Sequence, residues 1–113
     1  MLTLELPYPP SINHYWRNVK GRVLISKEGR QYRNRILIAV IVYKSIFPMR
    51  GPLAMSINIH PPDKRRRDID NVLKALLDSL EHAGVYENDS QIFRLQIEKK
   101  EPIKGGKCFV KIG

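Results

Sequence analysis

Asp68, Asp70, Asn71 and Lys74 follow directly on a run of cations, Lys64-Arg65-Arg66-Arg67. Two carboxylates two residues apart project the same way where the chain is extended. Paired oxygen ligands of that kind suit Mg²⁺. Asn71 and Lys74 are three apart and share a helical face, and Lys74 lies four from Asp70, so its ammonium can return to the carboxylates. A cation there can stabilise charge on an attacked phosphate or hold the attacking water. The same residues also describe an ordinary helix start, with Asp68 as N-cap, Asp70 favoured by the helix dipole and Asp70–Lys74 as a surface pair. That alternative leaves the preceding basic run unexplained. Asp89, in the polar loop Glu87-Asn88-Asp89-Ser90-Gln91, is the natural third carboxylate, and Glu87 competes with it. A plain turn aspartate is the alternative.

Charge narrows the partner. Twenty Lys and Arg against eleven Asp and Glu give +9 in 113 residues. A field of that sign attracts polyanions and speeds encounter with them. Nucleic acid leads, although net charge alone does not separate it from an acidic membrane surface. Residues 11–35 carry Arg17, Lys20, Arg22, Lys27, Arg30, Arg33 and Arg35 against Glu28 alone, while seven of the eleven acids fall between Asp63 and Asp89. Carboxylates amid a basic surface repel phosphate, so a simple phosphate binder gains nothing from them. An enzyme that holds metal against phosphate needs them.

The remaining composition excludes other classes. The single cysteine, Cys108, forbids an intrachain disulfide or a Cys-rich zinc module, and reads as a small buried residue. His14, His60 and His82 lack metal-ligand spacing. The N-terminus has no basic segment followed by an apolar one, and the apolar run Ile36–Tyr43 is too short to span a bilayer. The expectation is a soluble, cytoplasmic protein of one domain, residues 1–113, with no membrane partner.

Several elements must position these residues. Leu2–Leu6 alternates as a strand until Pro7, Pro9 and Pro10 break it. Ser11–Lys20 and Val23–Ile25 suggest a hairpin about Gly21. Ser26 is a candidate N-cap, and Tyr32, Ile36, Val40, Tyr43 and Phe47 then recur at helical spacing. The middle of that segment is apolar on all sides and rich in β-branched residues, so strand is an alternative there. The periodicity continuing on both sides favours helix, which must then be buried on more than one face, as in a dimer interface. Leu53–His60 alternates as a strand. Val72, Leu73, Leu76, Leu77 and Leu80 make one face of a helix that ends near Ala83, with Gly84 as its cap. Ile92–Lys99 and Lys107–Ile112 alternate and are expected to pair across Lys104-Gly105-Gly106. The fold class is α+β, a small mixed sheet with two helices in the order β, hairpin, α, β, α, β, β.

Taken together, these residues resemble the RusA family of Holliday junction resolvases. The resemblance rests on Leu6-Pro7-Tyr8-Pro9-Pro10-Ser11-Ile12-Asn13, the Arg17 region, Ser26-x-x-Gly29-x-x-Tyr32-Arg33, and above all Pro62–Asn71 with Lys74. Ala83-Gly84-Val85, Asn88–Ile92 and Lys104-Gly105-Gly106 also fit. It implies that Asp68, Asp70 and Asp89 bind Mg²⁺, or Mn²⁺ in its place, and that Lys74 is essential. It further implies a homodimer with a mixed α/β fold that makes two nearly symmetrical nicks across a four-way DNA junction, in recombination and repair. The basic segments, among them Arg17, Lys64, Arg65, Arg66 and Arg67, would hold the DNA by its phosphates. Two alternatives stand beside this: a metal nuclease for flaps or other branches, and a basic nucleic-acid-binding protein without catalysis. Tyr15 and Trp16 either stack on an unpaired base or support the fold.

Overall fold

In the computed structural model, which describes residues 1–113, the chain runs β1 (Leu2–Leu6), α1 (Ile12–Tyr15), β2 (Trp16–Val19), β3 (Arg22–Ile25) and α2 (Lys27–Val40). It continues as a 3-10 helix (Ile41–Ile46), β4 (Leu53–His60), a 3-10 turn (Ile69–Val72) and α3 (Leu73–His82). A second 3-10 turn (Asp89–Gln91), β5 (Ile92–Lys99) and β6 (Lys107–Ile112) complete it. The mixed α+β class holds. So do the strands, the hairpin β2–β3 and both long helices. The short helix α1 is additional; at one turn it is too brief for periodicity to reveal.

The four main strands lie in the order β1-β6-β4-β5, with β4 and β5 parallel and the other neighbours antiparallel. This corrects one expectation: β5 and β6 do not pair with each other, because β4 lies between them. Helix α3 carries the chain from the end of β4 back to the start of β5, and such a crossover sets neighbouring strands parallel. Residues 100–106 then pass the end of β4, held by Lys100 N–H to the Ile59 carbonyl (2.8 Å) and Ile103 N–H to the Pro61 carbonyl (2.9 Å). Strand β6 fills the far edge of β4.

Period two puts Leu4, Leu6, Met55, Ile57, Ile59, Cys108, Val110 and Ile112 on one sheet face, all buried. Tyr32, Ile36 and Val40 of α2 and Leu76 and Leu80 of α3 cover that face. The burial of Cys108 raises its thiol pKa to about 12, so it is an inert core residue. The all-round apolar segment is not enclosed within the chain. Ile38 is 72% exposed and Val42 76%, and the helix turns 3-10 from Ile41. One sheet can bury only one stripe of a helix. No helix is long and apolar enough to cross a membrane.

Candidate active site

The backbone at Asp68 is extended (φ −78°, ψ 135°), and the chain then winds through the 3-10 turn that holds Asp70 and Asn71 into α3, whose second residue is Lys74. The capping alternative can be checked here. Asp68 occupies the capping position, but its side chain makes no cap hydrogen bond. None of the six ion pairs within the chain includes Asp68, Asp70, Asp89 or Lys74. The expected Asp70–Lys74 surface pair is therefore not formed. In a chain of charge +9, these carboxylates remain without a cationic partner.

Asp89 begins the 3-10 turn after α3, and its backbone N–H donates to Glu81 Oε1 at 2.7 Å. The loop is fixed mainly by Gln91. Its Oε1 accepts from the N–H groups of Glu87 (2.9 Å) and Asn88 (3.1 Å), while its Nε2 donates to the carbonyls of Met49 and Gly51, both at 3.0 Å. Asn88 Oδ1 accepts from Ser90 N–H, completing a capping box. The Asn-x-x-Gln spacing is the signal of such a box, in a segment expected only to be a polar loop. Glu87, the competing ligand, faces Arg50 at 3.1 Å on the surface.

No three His, Cys, Asp or Glu side chains converge tightly enough to enclose a metal ion. The donors nonetheless fit a hard divalent cation in kind, since they are unengaged carboxylate oxygens, but Asp68 and Asp70 precede α3 while Asp89 lies at its far end against Glu81. Mg²⁺ commonly keeps several waters and takes only one or two carboxylates together with substrate phosphate.

The basic loop divides by role. Asp63 accepts from Arg65 N–H (2.9 Å), Arg65 Nε (3.2 Å) and Arg67 Nη1 (2.6 Å). The Arg67 hydrogen bond, with lesser help from Arg65, holds the Asp63 carboxyl well below the usual range. Lys99 Nζ donates to the Arg67 carbonyl at 2.8 Å. Arg67 is thus a brace of the loop as well as a charge. Lys64, Arg65 and Arg66 are exposed, as is Arg17 on the hairpin. The loop faces Tyr8–Ser11 across a cleft of about 390 Å³ that also reaches His14, Asp68 and Asn71. Two motifs more than fifty residues apart in sequence meet there.

A second polar group was not legible. Tyr15, wholly buried, donates from its hydroxyl to Asp78 Oδ2, and Arg33 Nη2 donates to the same oxygen at 2.7 Å. Arg33 Nε also donates to the Tyr15 hydroxyl at 2.9 Å. These contacts lock α1, α2 and α3 together, one helical turn from Lys74. They join residues 18 to 63 positions apart, and no local spacing signals such a group. Tyr15 is accordingly a support of the fold. Trp16, half-buried, meets its ring edge-on at 5.0 Å.

Comparison with known proteins adds an independent line. Residues 7–113 match the family model described as Endodeoxyribonuclease RusA. The chain is 39% identical over 107 residues to the crossover junction endodeoxyribonuclease rusA of Enterobacteria phage HK97, covering 95% of this chain and 89% of that one. It is 40% identical over 106 residues to the protein of the same name from Enterobacteria phage 82, covering 92% and 87%. With the Shigella sonnei (strain Ss046) crossover junction endodeoxyribonuclease RusA the identity is 37% over 105 residues, covering 93% and 88%.

Proposed function

The chain belongs to the RusA family of endodeoxyribonucleases, and from that we propose that it is a divalent-metal-dependent enzyme that resolves four-way DNA junctions by paired nicks. The observation that carries this reading is the pair of carboxylates Asp68 and Asp70, left unpaired directly after a cationic loop in a protein of charge +9, with Asp89 unpaired at the other end of α3. Asp68 and Asp70 would be the first to hold the metal, with Asp89 as the third ligand that the family resemblance implies. Bound Mg²⁺, or Mn²⁺, supplies an activated water and neutralises charge on the phosphate and the leaving oxygen. Lys74 faces the attacked phosphate and stabilises its developing charge. Arg17, Lys64, Arg65 and Arg66 hold the DNA arms by their phosphates, contacts that position the strand without reading its sequence. Gln91 and Glu81 keep the Asp89 turn in place.

Paired nicks require two sites, and a C₂ homodimer supplies them by symmetry. The exposed apolar ridge of Ile38, Ile41, Val42 and Ile46 is the surface for that second copy. Burial of such residues favours association at roughly 25 cal/mol per Å² of apolar surface.

The test is a synthetic four-way junction with Mg²⁺. The native protein is expected to cut opposite strands, and Asp70→Asn to bind the junction but leave it intact. Loss of a carboxylate facing phosphate also favours binding. A native protein that binds junctions without cutting them in either metal would defeat the resolvase reading. Faster cutting of a flap substrate in the same assay would point to a nuclease for other branches.

A further inference from the structure

We propose that the cleft between Tyr8–Ser11 and the loop leading to Asn71 receives one unpaired nucleotide of the DNA, adjacent to the phosphate that is cut. The inference rests on the nuclease reading above and names the part of the substrate that this site takes. Its volume, about 390 Å³, falls within the range of roughly 300–1,000 Å³ that small-molecule sites occupy. Its lining includes flat or ring-bearing side chains, Tyr8, Pro9, Pro10 and Pro62. Such surfaces accept the face of any base. Arg66, His14 and Asn71 also line it. Arg66 has no carboxylate partner. His14 and Asn71 take part in the chain's hydrogen bonds through their backbones, which leaves their side chains free for a ligand.

The walls are braced before any ligand arrives. The Tyr32 hydroxyl donates to the Pro7 carbonyl at 2.8 Å, fixing the proline segment. Gly106 lies so close under Tyr8 that an added Cβ would stand 2.6 Å from the tyrosine Cβ. Arg67 is tied to Asp63 at 2.6 Å, and Ser26 Oγ donates to the His14 carbonyl. A cleft held open in this way binds without the cost of ordering its own side chains. Asp68 lines the same cleft, so its occupant lies beside one of the proposed metal ligands. A base paired in a duplex cannot enter a cleft of this kind; it must be unstacked and turned out, which is least costly where pairing is already interrupted. The exchange point of a branched DNA is such a place.

The experiment uses the full chain and four-way junctions in which each nucleotide near the nick is replaced in turn by the fluorescent base 2-aminopurine. Mg²⁺ is withheld so that no strand is cut. One position, next to the scissile phosphate, is expected to change its emission severalfold on binding. An abasic site at that position, with Mg²⁺ restored, should slow cleavage about tenfold, equivalent to ~1.4 kcal/mol. Ser11→Trp then plugs the cleft. Ser11 makes no capping hydrogen bond through its side chain, so none is lost. This variant should suppress the fluorescence change while junction affinity, carried mainly by phosphate contacts, falls less than tenfold.

If no position responds on binding, or if Ser11→Trp binds the junction and leaves the response intact, the proposal is overturned. Should Ser11→Trp not bind, His14→Ala and Asn71→Ala replace it, and an unchanged fluorescence response in both overturns the proposal equally. A native protein that shows the response yet cuts no junction defeats the resolvase reading and leaves the nucleotide site standing.

Discussion

Asp78 gathers Tyr15 and Arg33 on a single carboxylate oxygen, with Lys74 close enough for its charge to be felt. Burial raises the carboxyl's pKa, but the hydrogen bonds from Tyr15 and Arg33, followed by the charges of Arg33 and Lys74, outweigh it, and the pKa is lowered. The folded value therefore lies below the unfolded one, about 3.9. The stability this group contributes is complete above that unfolded pKa and is lost as pH falls through the lower folded value. Asp78→Asn is expected to cost about 1.5–3 kcal/mol at neutral pH, the range for hydrogen bonds to a charged group. It should also flatten the loss of stability below about pH 4. Urea denaturation midpoints measured against pH check both. Lys74 behaves differently. It forms no ion pair, so Lys74→Ala should change stability by only about 0.5 kcal/mol or less. Its proposed role toward the phosphate predicts a fall in turnover of about 10²-fold or more under saturating junction. Unchanged turnover would remove it from the site.

The start of α2 shows how an element holds its neighbours. Ser26 Oγ accepts from Gly29 N–H at 2.9 Å, forming the cap, and donates to the Tyr15 carbonyl at 2.9 Å. Gly29 is buried where the first turn of α2 meets the end of α1 and β3. A Cβ there would stand 2.5 Å from the Tyr15 carbonyl oxygen and 2.7 Å from Ile25 Cγ1. The oxygen belongs to the backbone and cannot step aside as a side chain can. Gly29→Ala should therefore destabilise the protein by about 1–3 kcal/mol, despite alanine's better helix propensity. Calorimetry would register this as a lower Tm. An increase in Tm would mean that the close approach is not maintained in solution. The Ser26 cap and this helix were both legible from the serine, the spacing of Tyr32, Ile36 and Val40, and the general rule for helix starts. The partners of β5 and β6 were not, since each pairs with β4 and neither with the other. Both strands have the right alternation, but alternation reports which face is buried and says nothing about which neighbour supplies the hydrogen bonds.

The whole molecule measures 37 × 35 × 25 Å, about the length of one turn of duplex DNA. Under the proposed function, the two nicks placed across a branch come from two copies of the chain. The ridge formed by Ile38, Ile41, Val42 and Ile46 is between 50% and 76% exposed in the isolated chain. Val42→Glu places a charge in the proposed interface, where burial without a partner is costly. The variant should sediment as a monomer, keep its fold by circular dichroism and lose coordinated cleavage of opposite strands. A native protein that is monomeric at micromolar concentration yet makes paired nicks would exclude this arrangement.

The local chemistry was readable before any fold was known. Asp68, Asp70 and Lys74 lie within one short segment, where helix and strand geometry alone limits how they can face each other. The excess of cations and the single cysteine likewise follow from composition. The tertiary structure decided matters that depend on distant residues. It left Asp68 without a capping bond and put Glu87 against Arg50. It joined Tyr15 and Arg33 to Asp78, and it closed Tyr8–Ser11 over the basic loop to form the cleft. Each of those contacts spans residues far apart in the chain. Only the packing of helices on one sheet face brings them together, because burial of the apolar stripes fixes the helices and the polar side chains must then satisfy one another where they meet.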